Sequence, residues 1–152
     1  RPNRFEALQN LIRFLKPGGQ IVLTFPSLGT FDSLWDQVDK DMVALGLKDE
    51  RKALNEYINE RPSASQAEKW LQELGLEKVA VIEQPLEIPT GSGMSFLEHP
   101  LLRGGFLDDI YECFQDQDQA NEFMNNLSQK TSTFTPLFAL RCAISGWMSE
   151  SS

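Results

Sequence analysis

Apolar residues recur along the chain at the three- and four-residue spacing of amphipathic helices. Phe5, Leu8 and Ile12 fall on one face, and Asn3 ahead of them suits a helix N-cap. The same spacing predicts further helices over residues 32–45, 49–59 and 65–74. We expect Asp32 to cap the second helix and the capping box at 65–68 to open the fourth.

Other segments carry unbroken apolar runs. Ile21, Val22 and Leu23 follow one another in the segment 20–25, and the segment 79–82 repeats this pattern. A continuous apolar run is typical of a strand that is covered on both faces. We therefore expect two strands of this kind, and a third strand over residues 137–145.

Turns and breaks separate these elements. Pro17 cannot continue the first helix, and Gly18 and Gly19 allow the chain to reverse into the first strand. Pro85 and Pro89 indicate that regular structure ends after the second strand. The order is therefore helix, strand, helices, strand, a long insertion with helical patches, and a final strand.

The run Leu15-Lys16-Pro17-Gly18-Gly19 before an apolar strand resembles the late motif of class I S-adenosylmethionine-dependent methyltransferases, in particular the type-11 group. In that family this turn joins the fourth crossover helix to the fifth strand. The elements that follow in the family have the same order as those predicted here. The resemblance covers nearly all 152 residues, but only the C-terminal half of the family's domain.

The resemblance implies an α/β fold that is the C-terminal half of a Rossmann-like methyltransferase sheet with flanking helices. Such a half has three strands, with the last one antiparallel in the middle. Residues 1–152 would form one partial methyltransferase domain. Within it, residues 1–84 would be the helix–strand–helices–strand portion, residues 85–134 a helical lid-like insertion, and residues 135–147 the final strand.

The resemblance also implies the cofactor S-adenosyl-L-methionine. The glycine-rich turn and the acidic ribose-binding residue of the family belong to its first half, so we expect no cofactor-binding residues in this chain. We treat the chain as a fragment whose N-terminal half is absent. Glu87 ahead of Gly91 and Gly93 imitates a nucleotide loop, but the nearby prolines favour a turn that leads into the lid.

Candidate acceptor contacts come from two places in this order. Ligands of open α/β sheets bind beyond the carboxyl ends of the strands, so residues 25–31 would border the methyl-transfer site. Aromatic residues of the insertion could line an apolar acceptor pocket, although at helical spacing such residues are more often core. The candidate substrate-binding residues are Phe25, Ser27, Phe31, Phe96, His99, Phe106 and Tyr111.

His99 is the only histidine, and it is the one candidate for a general base because histidine titrates near neutral pH. A histidine that precedes a proline in a loop is more often an exposed bystander, so the catalytic residue stays unknown. The sequence shows neither the ligand spacing of a metal site nor the Gly-x-Ser-x-Gly elbow of a serine hydrolase.

Charge narrows the range of partners. The net charge of −8 disfavours nucleic acid and anionic membranes by repulsion, and no apolar run is long enough to span a bilayer. Cys113 and Cys142 are too few and too far apart for a disulfide framework, which favours the reducing cytoplasm.

Two functions stay open. In the first, the chain is the acceptor-side half of a methyltransferase that acts on a small molecule, and it is inactive alone. In the second, it is a non-catalytic α/β interaction or oligomerisation module. A sheet without its first strands has an exposed edge, which would allow self-association.

Overall fold

The computed structural model describes residues 3–150, which adopt an α/β fold with seven α-helices and three strands. A 3₁₀ turn at Thr131–Thr133 precedes the last strand. The strands are β1 (Gln20–Pro26), β2 (Glu77–Ile88) and β3 (Leu137–Trp147). The helices are α1 (Arg4–Ile12), α2 (Asp32–Ala44), α3 (Lys48–Asn59), α4 (Ala64–Glu73), α5 (Met94–Leu97), α6 (Phe106–Glu112) and α7 (Gln117–Ser128).

The final strand is the central strand of the sheet. The order is β1-β3-β2, and β3 runs antiparallel to β1 with Gln20 opposite Trp147 and Pro26 opposite Arg141. The strands predicted over residues 20–25 and 137–145 are confirmed, and so is the antiparallel central position of the last one.

The described residues form two compact units, each assembled from separate segments of the chain. Unit 1 consists of residues 3–28, 62–85 and 140–150, and unit 2 consists of residues 29–61 and 86–139. No helix in the described part of the chain has both the length and the apolar character needed to cross a bilayer.

Unit 1 is built on one face of the sheet. Leu8 and Ile12 of α1 form a buried cluster with Leu71 of α4 and Ile144 of β3. The Asn3 side chain accepts hydrogen bonds from the backbone at the start of α1, which confirms the predicted cap. Both helices therefore pack against the face of the sheet that carries Ile144.

The expectation that β1 and β2 are covered on both faces is wrong. Burial alternates along β1, and the side chains of Val22 and Ile82 are each 60% exposed. The reason is that α1 and α4 lie on the same face, and the described part of unit 1 supplies no helix for the other. We call the exposed face, with Val22 and Ile82, the outer face.

Pro85 does not end β2, contrary to the sequence expectation. The strand continues from Glu77 to Ile88. Because β2 is an edge strand, a proline that lacks an N–H group can sit in it without removing a hydrogen bond from the sheet.

The predicted turn before β1 is tied to the end of the chain. Gly18 has a φ of 78°, a conformation that favours glycine, and its N–H donates to the carbonyl of Met148 at 3.0 Å. The Met148 N–H donates to the carbonyl of Gly19 at 2.7 Å. A Cβ on Gly19 would lie 2.9 Å from the carbonyl oxygen of Lys16, so this position also requires glycine.

Two helix starts differ from the sequence pattern. Helix α4 begins after Ser63, whose Oγ accepts a hydrogen bond from the backbone N–H of Gln66 at 3.1 Å. The expected capping box at 65–68 therefore lies inside the helix. Asp32 is the first residue of α2 and not its cap, because Phe31 occupies the cap position.

Unit 2 has its own apolar core, formed by helices α2, α3, α5, α6 and α7. Met42 of α2, Leu54 of α3, Ile110 of α6 and Met124 of α7 are fully buried in it. The helical character predicted for the insertion between β2 and β3 is thereby confirmed.

Candidate functional site

The most unusual backbone position among the candidate residues is Phe31. It has a φ of 61° and a ψ of 30°, which is the left-handed region that a bulky L-residue rarely adopts. Its N–H donates to the carbonyl of Phe138 at 2.9 Å, and its ring meets the Phe106 ring edge-on with 4.7 Å between centroids. The fold thus brings together two of the predicted acceptor residues.

Arg61, just beyond α3, lies against the Phe106 ring. This charged residue is only 7% exposed. Its guanidinium carbon is 4.4 Å from the centre of the Phe106 ring, 5.6 Å from that of Tyr57 and 5.8 Å from that of Trp35. These distances are within the range of cation–π attraction, which is stronger at desolvated sites. The cation therefore joins rings from α2, α3 and α6. We call Phe31, Trp35, Tyr57, Arg61 and Phe106 the arginine–aromatic cluster.

The guanidinium donates its hydrogen bonds to neutral oxygens. Nη2 donates to the Tyr57 hydroxyl at 3.2 Å, and Nη1 donates to the Thr30 carbonyl at 3.4 Å. Burial raises the pKa of Tyr57, and a hydrogen bond between its hydroxyl and Asp109 raises it further. The hydroxyl thus links Arg61 of the α3 end to Asp109 of α6, and it stays protonated at neutral pH.

The positive charge of Arg61 also acts on Asp32, at the start of α2. Burial raises the pKa of this carboxyl group and Asp36 adds to the rise, while Arg61 opposes it. The cluster is therefore a positively charged centre among acidic neighbours.

The other candidates of the insertion have separate surroundings. Phe96 is fully buried, with its ring 5.3 Å from that of Phe134, so it belongs to the core of unit 2. His99 is half-buried, and its Nδ1 accepts a hydrogen bond from the backbone N–H of Leu101 at 3.2 Å. This local bond stabilises the turn after α5. Tyr111 is half-buried, and burial raises its pKa.

In unit 1, Ser27 follows β1 and is completely buried. Its hydroxyl donates to Oε2 of Glu83 at 2.7 Å, with the Leu140 carbonyl 3.2 Å away as a second acceptor. Burial raises the pKa of Cys142 in the same unit, and the charge of Glu83 raises it further. A serine with no exposed surface cannot reach a substrate, so this arrangement is a structural one.

Phe25, the remaining candidate, lines a small apolar cavity of about 120 Å³ in unit 1. Trp70 and Leu71 of α4 and Leu8 of α1 form other walls of this cavity. The cavity lies on the covered face of the sheet, between α1 and α4.

A larger groove of about 570 Å³ lies in unit 2 among α5, α6 and α7. Tyr111 lines this groove together with Arg103 and three carboxamide side chains of α7. Tyr111, one of the predicted acceptor residues, thus borders a groove whose volume is within the range of small-molecule sites.

The glycines at 91 and 93 do not form a nucleotide loop. The helix that follows them, α5, has only four residues, and the Gly93 N–H donates to the carbonyl of Ser128 at 3.0 Å. A helix this short does not provide the N-terminal phosphate site of such a loop. Nor do residues 3–150 contain a group of three His, Cys, Asp or Glu side chains that could hold a metal ion.

The sequence prediction did not include Arg61 among the candidate site residues. One signal was present, since Tyr57 and Arg61 are four residues apart and therefore share a helix face. Trp35 and Phe106 come from distant parts of the chain, and no local pattern connects them to Arg61.

Comparison of the sequence with protein-family models and with curated proteins finds no match in either.

Proposed function

We propose that this chain is the acceptor-side half of a methyltransferase that uses S-adenosyl-L-methionine and acts on a small molecule. The observation that carries the proposal is the position of β3, the last strand, antiparallel and between β1 and β2. The methyltransferases that the Pro17-Gly18-Gly19 segment resembles have this arrangement at the end of their sheet.

The outer face of the sheet gives a second line of support. Val22 and Ile82 are exposed on it, and Trp147 at the end of β3 is 40% exposed. Strand β1 pairs with β3 on one side, and the described residues offer no strand for its other side. A larger sheet with helices over this face would bury these side chains. Their burial would stabilise the fold by roughly 25 cal/mol per Å² of apolar surface removed from water.

Unit 2 would supply the acceptor-binding side. The arginine–aromatic cluster fixes the relative positions of α2, α3 and α6, and the insertion carries a groove lined by Tyr111. Methyl transfer from a sulfonium depends strongly on the placement of the acceptor, so rigid walls suit this role better than a strong base. His99, whose Nδ1 is used in a local turn, is then a structural residue.

Calorimetric titration with S-adenosylhomocysteine tests the proposal. The 152-residue chain should not bind it, whereas a longer chain that includes the upstream coding sequence should bind with micromolar affinity. The absence of binding by both chains would overturn the proposal.

A pair of surface variants makes this test sharper. Val22→Asp places a charge on the outer face, so it should leave the 152-residue chain folded and reduce binding by the longer chain. Gln72→Asp adds the same charge on the exposed side of α4 and should leave binding unchanged.

The exposed outer face and the free edge of β1 also support the second function, an interaction or oligomerisation module. In that case the 152-residue chain should form a dimer in sedimentation equilibrium, and Val22→Asp should convert the dimer to a monomer. Neither the short nor the longer chain should then bind S-adenosylhomocysteine.

A further inference from the structure

The groove in unit 2 combines three kinds of chemistry that select one class of ligand. One wall is α7, which presents Gln117, Asn121 and Asn125 at intervals of four residues and therefore on one face. A carboxamide both donates and accepts hydrogen bonds, so this row suits a ligand with several hydroxyl or amide groups.

The opposite wall carries negative charge. Asp108 and Glu112 of α6 are four residues apart and both line the groove, whereas Arg103 is the one basic side chain that does so. The surrounding unit has the same sign, because unit 2 holds sixteen acidic and seven basic residues, a net charge of −9. Since long-range charge adds to local charge, an anionic ligand is repelled from this groove and a cationic one is attracted.

Tyr111 lies between Asp108 and Glu112 in the sequence of α6 and lines the same groove. An aromatic face attracts an ammonium group. The apolar side chains of Leu97 and Leu107 also line the groove and offer contact to the carbon skeleton of a ligand. The volume of about 570 Å³ lies within the range of small-molecule sites.

We propose that this groove binds a small polyhydroxylated or amide-containing molecule that carries an amine. The amine lies beside Asp108, Glu112 and Tyr111, and the hydroxyl or amide groups bond to the carboxamides of α7. Binding itself is independent of the methyltransferase proposal, while the assignment of this ligand as the methyl acceptor rests on it.

Three matched probes test the proposed selectivity. Glucamine, sorbitol and gluconate share a six-carbon polyol chain and end in an ammonium, a hydroxyl and a carboxylate group, respectively. Titration of the ¹⁵N-labelled chain, followed by amide chemical shifts of α6 and α7, should give millimolar binding of glucamine. We expect glucamine to bind about tenfold more tightly than gluconate, with sorbitol between them.

Variants assign the binding to this groove. Asn121→Ala should lower the affinity for glucamine and the affinity for sorbitol about threefold each, because each ligand loses a hydrogen bond to the Asn121 carboxamide. Glu112→Gln should lower the affinity for glucamine about threefold and leave the affinity for sorbitol unchanged. Asn126→Ala and Glu122→Gln change the same residue types outside the groove and should alter neither affinity.

Several results would overturn the proposal. One is equal affinity for gluconate and glucamine, and another is an equal effect of Asn121→Ala and Asn126→Ala on the affinity for glucamine. A third is the absence of amide chemical-shift changes in α6 and α7 with glucamine up to about 50 mM. No cofactor takes part in these titrations, so their failure is separate from a failure to bind S-adenosylhomocysteine.

Discussion

Arg61 contributes to unit 2 through its shape as well as its charge. A buried guanidinium that is flanked by Trp35, Tyr57 and Phe106 gains cation–π attraction and covers apolar surface with its aliphatic stem. Its hydrogen bond to Tyr57 adds a link towards Asp109.

Replacement of Arg61 by alanine should therefore destabilise the protein. Arg61→Ala removes the cation, the hydrogen bonds and the packed stem, which together should lower the free energy of unfolding by about 2–4 kcal/mol. Urea denaturation followed by circular dichroism measures the loss. Arg103→Ala, at an exposed arginine, should change stability by less than about 0.5 kcal/mol, and equal effects of the two variants would contradict this account.

Cys113 is a second residue whose surroundings determine its chemistry. Burial raises the pKa of its thiol from 9.0 to about 11, with further contributions from the charges of Asp109, Glu112 and Glu50. The folded state thus holds the thiol proton more tightly than the unfolded state does. The free energy of unfolding should consequently fall as the pH rises above 9.0 towards 11.

The thiol of Cys113 should also react slowly. In a Cys142→Ala variant, iodoacetamide should alkylate folded protein at pH 8 about 100-fold more slowly than the same protein in urea, because the thiolate is correspondingly rarer. Mass spectrometry of quenched samples gives both rates. Similar rates in the two states would mean that the thiol is neither buried nor influenced by these carboxylates.

At the level of elements, the two faces of the sheet differ in how much each contributes to stability. Ile144 of β3 is buried under α1 and α4, whereas Val22 of β1 is exposed on the outer face. Ile144→Ala should cost about 2–5 kcal/mol, and Val22→Thr should change stability by less than about 0.5 kcal/mol. Thermal unfolding of both variants checks this, and a large loss for Val22→Thr would show that the outer face is covered.

The sequence predicted the existence of most elements because their signals are local. Spacing indicated α1 and α3, the Asn3 cap supported α1, and the proline–glycine turn indicated the start of β1. The sequence could not predict that the outer face is exposed, since Val22 and Ile82 are as apolar as the residues beside them. Which face a helix covers is decided by tertiary packing, and the edge position that allows Pro85 in β2 is equally non-local.

The same limit applies to the candidate site. Phe31, Phe106 and Tyr111 were found because aromatic residues are conspicuous in a sequence, but their grouping was not. Arg61 meets rings from three helices, and the row of carboxamides on α7 becomes a wall only where α6 packs beside it. Both arrangements depend on how elements come together, which a single sequence records only weakly.

At the level of the whole molecule, charge is unevenly distributed. Unit 2 carries a net charge of −9 and the whole chain −8, so all of the chain's excess of acidic residues lies in unit 2. Repulsion among these residues should be reduced by salt, and an increase from about 10 to about 200 mM NaCl should raise the unfolding midpoint by a few degrees. Differential scanning calorimetry measures the shift. Glu122→Gln should make it smaller, and a midpoint that falls with salt would contradict the expectation.

The central position of β3 has a consequence for biosynthesis. Ribosomes make β3 only after both β1 and β2, and those two strands are not neighbours in the finished sheet. Nascent chains must therefore carry two unpaired apolar strand segments until β3 has been made. Chaperones that bind extended apolar peptides would have their longest opportunity during this interval, and premature termination before residue 137 would release a polypeptide unable to close its sheet.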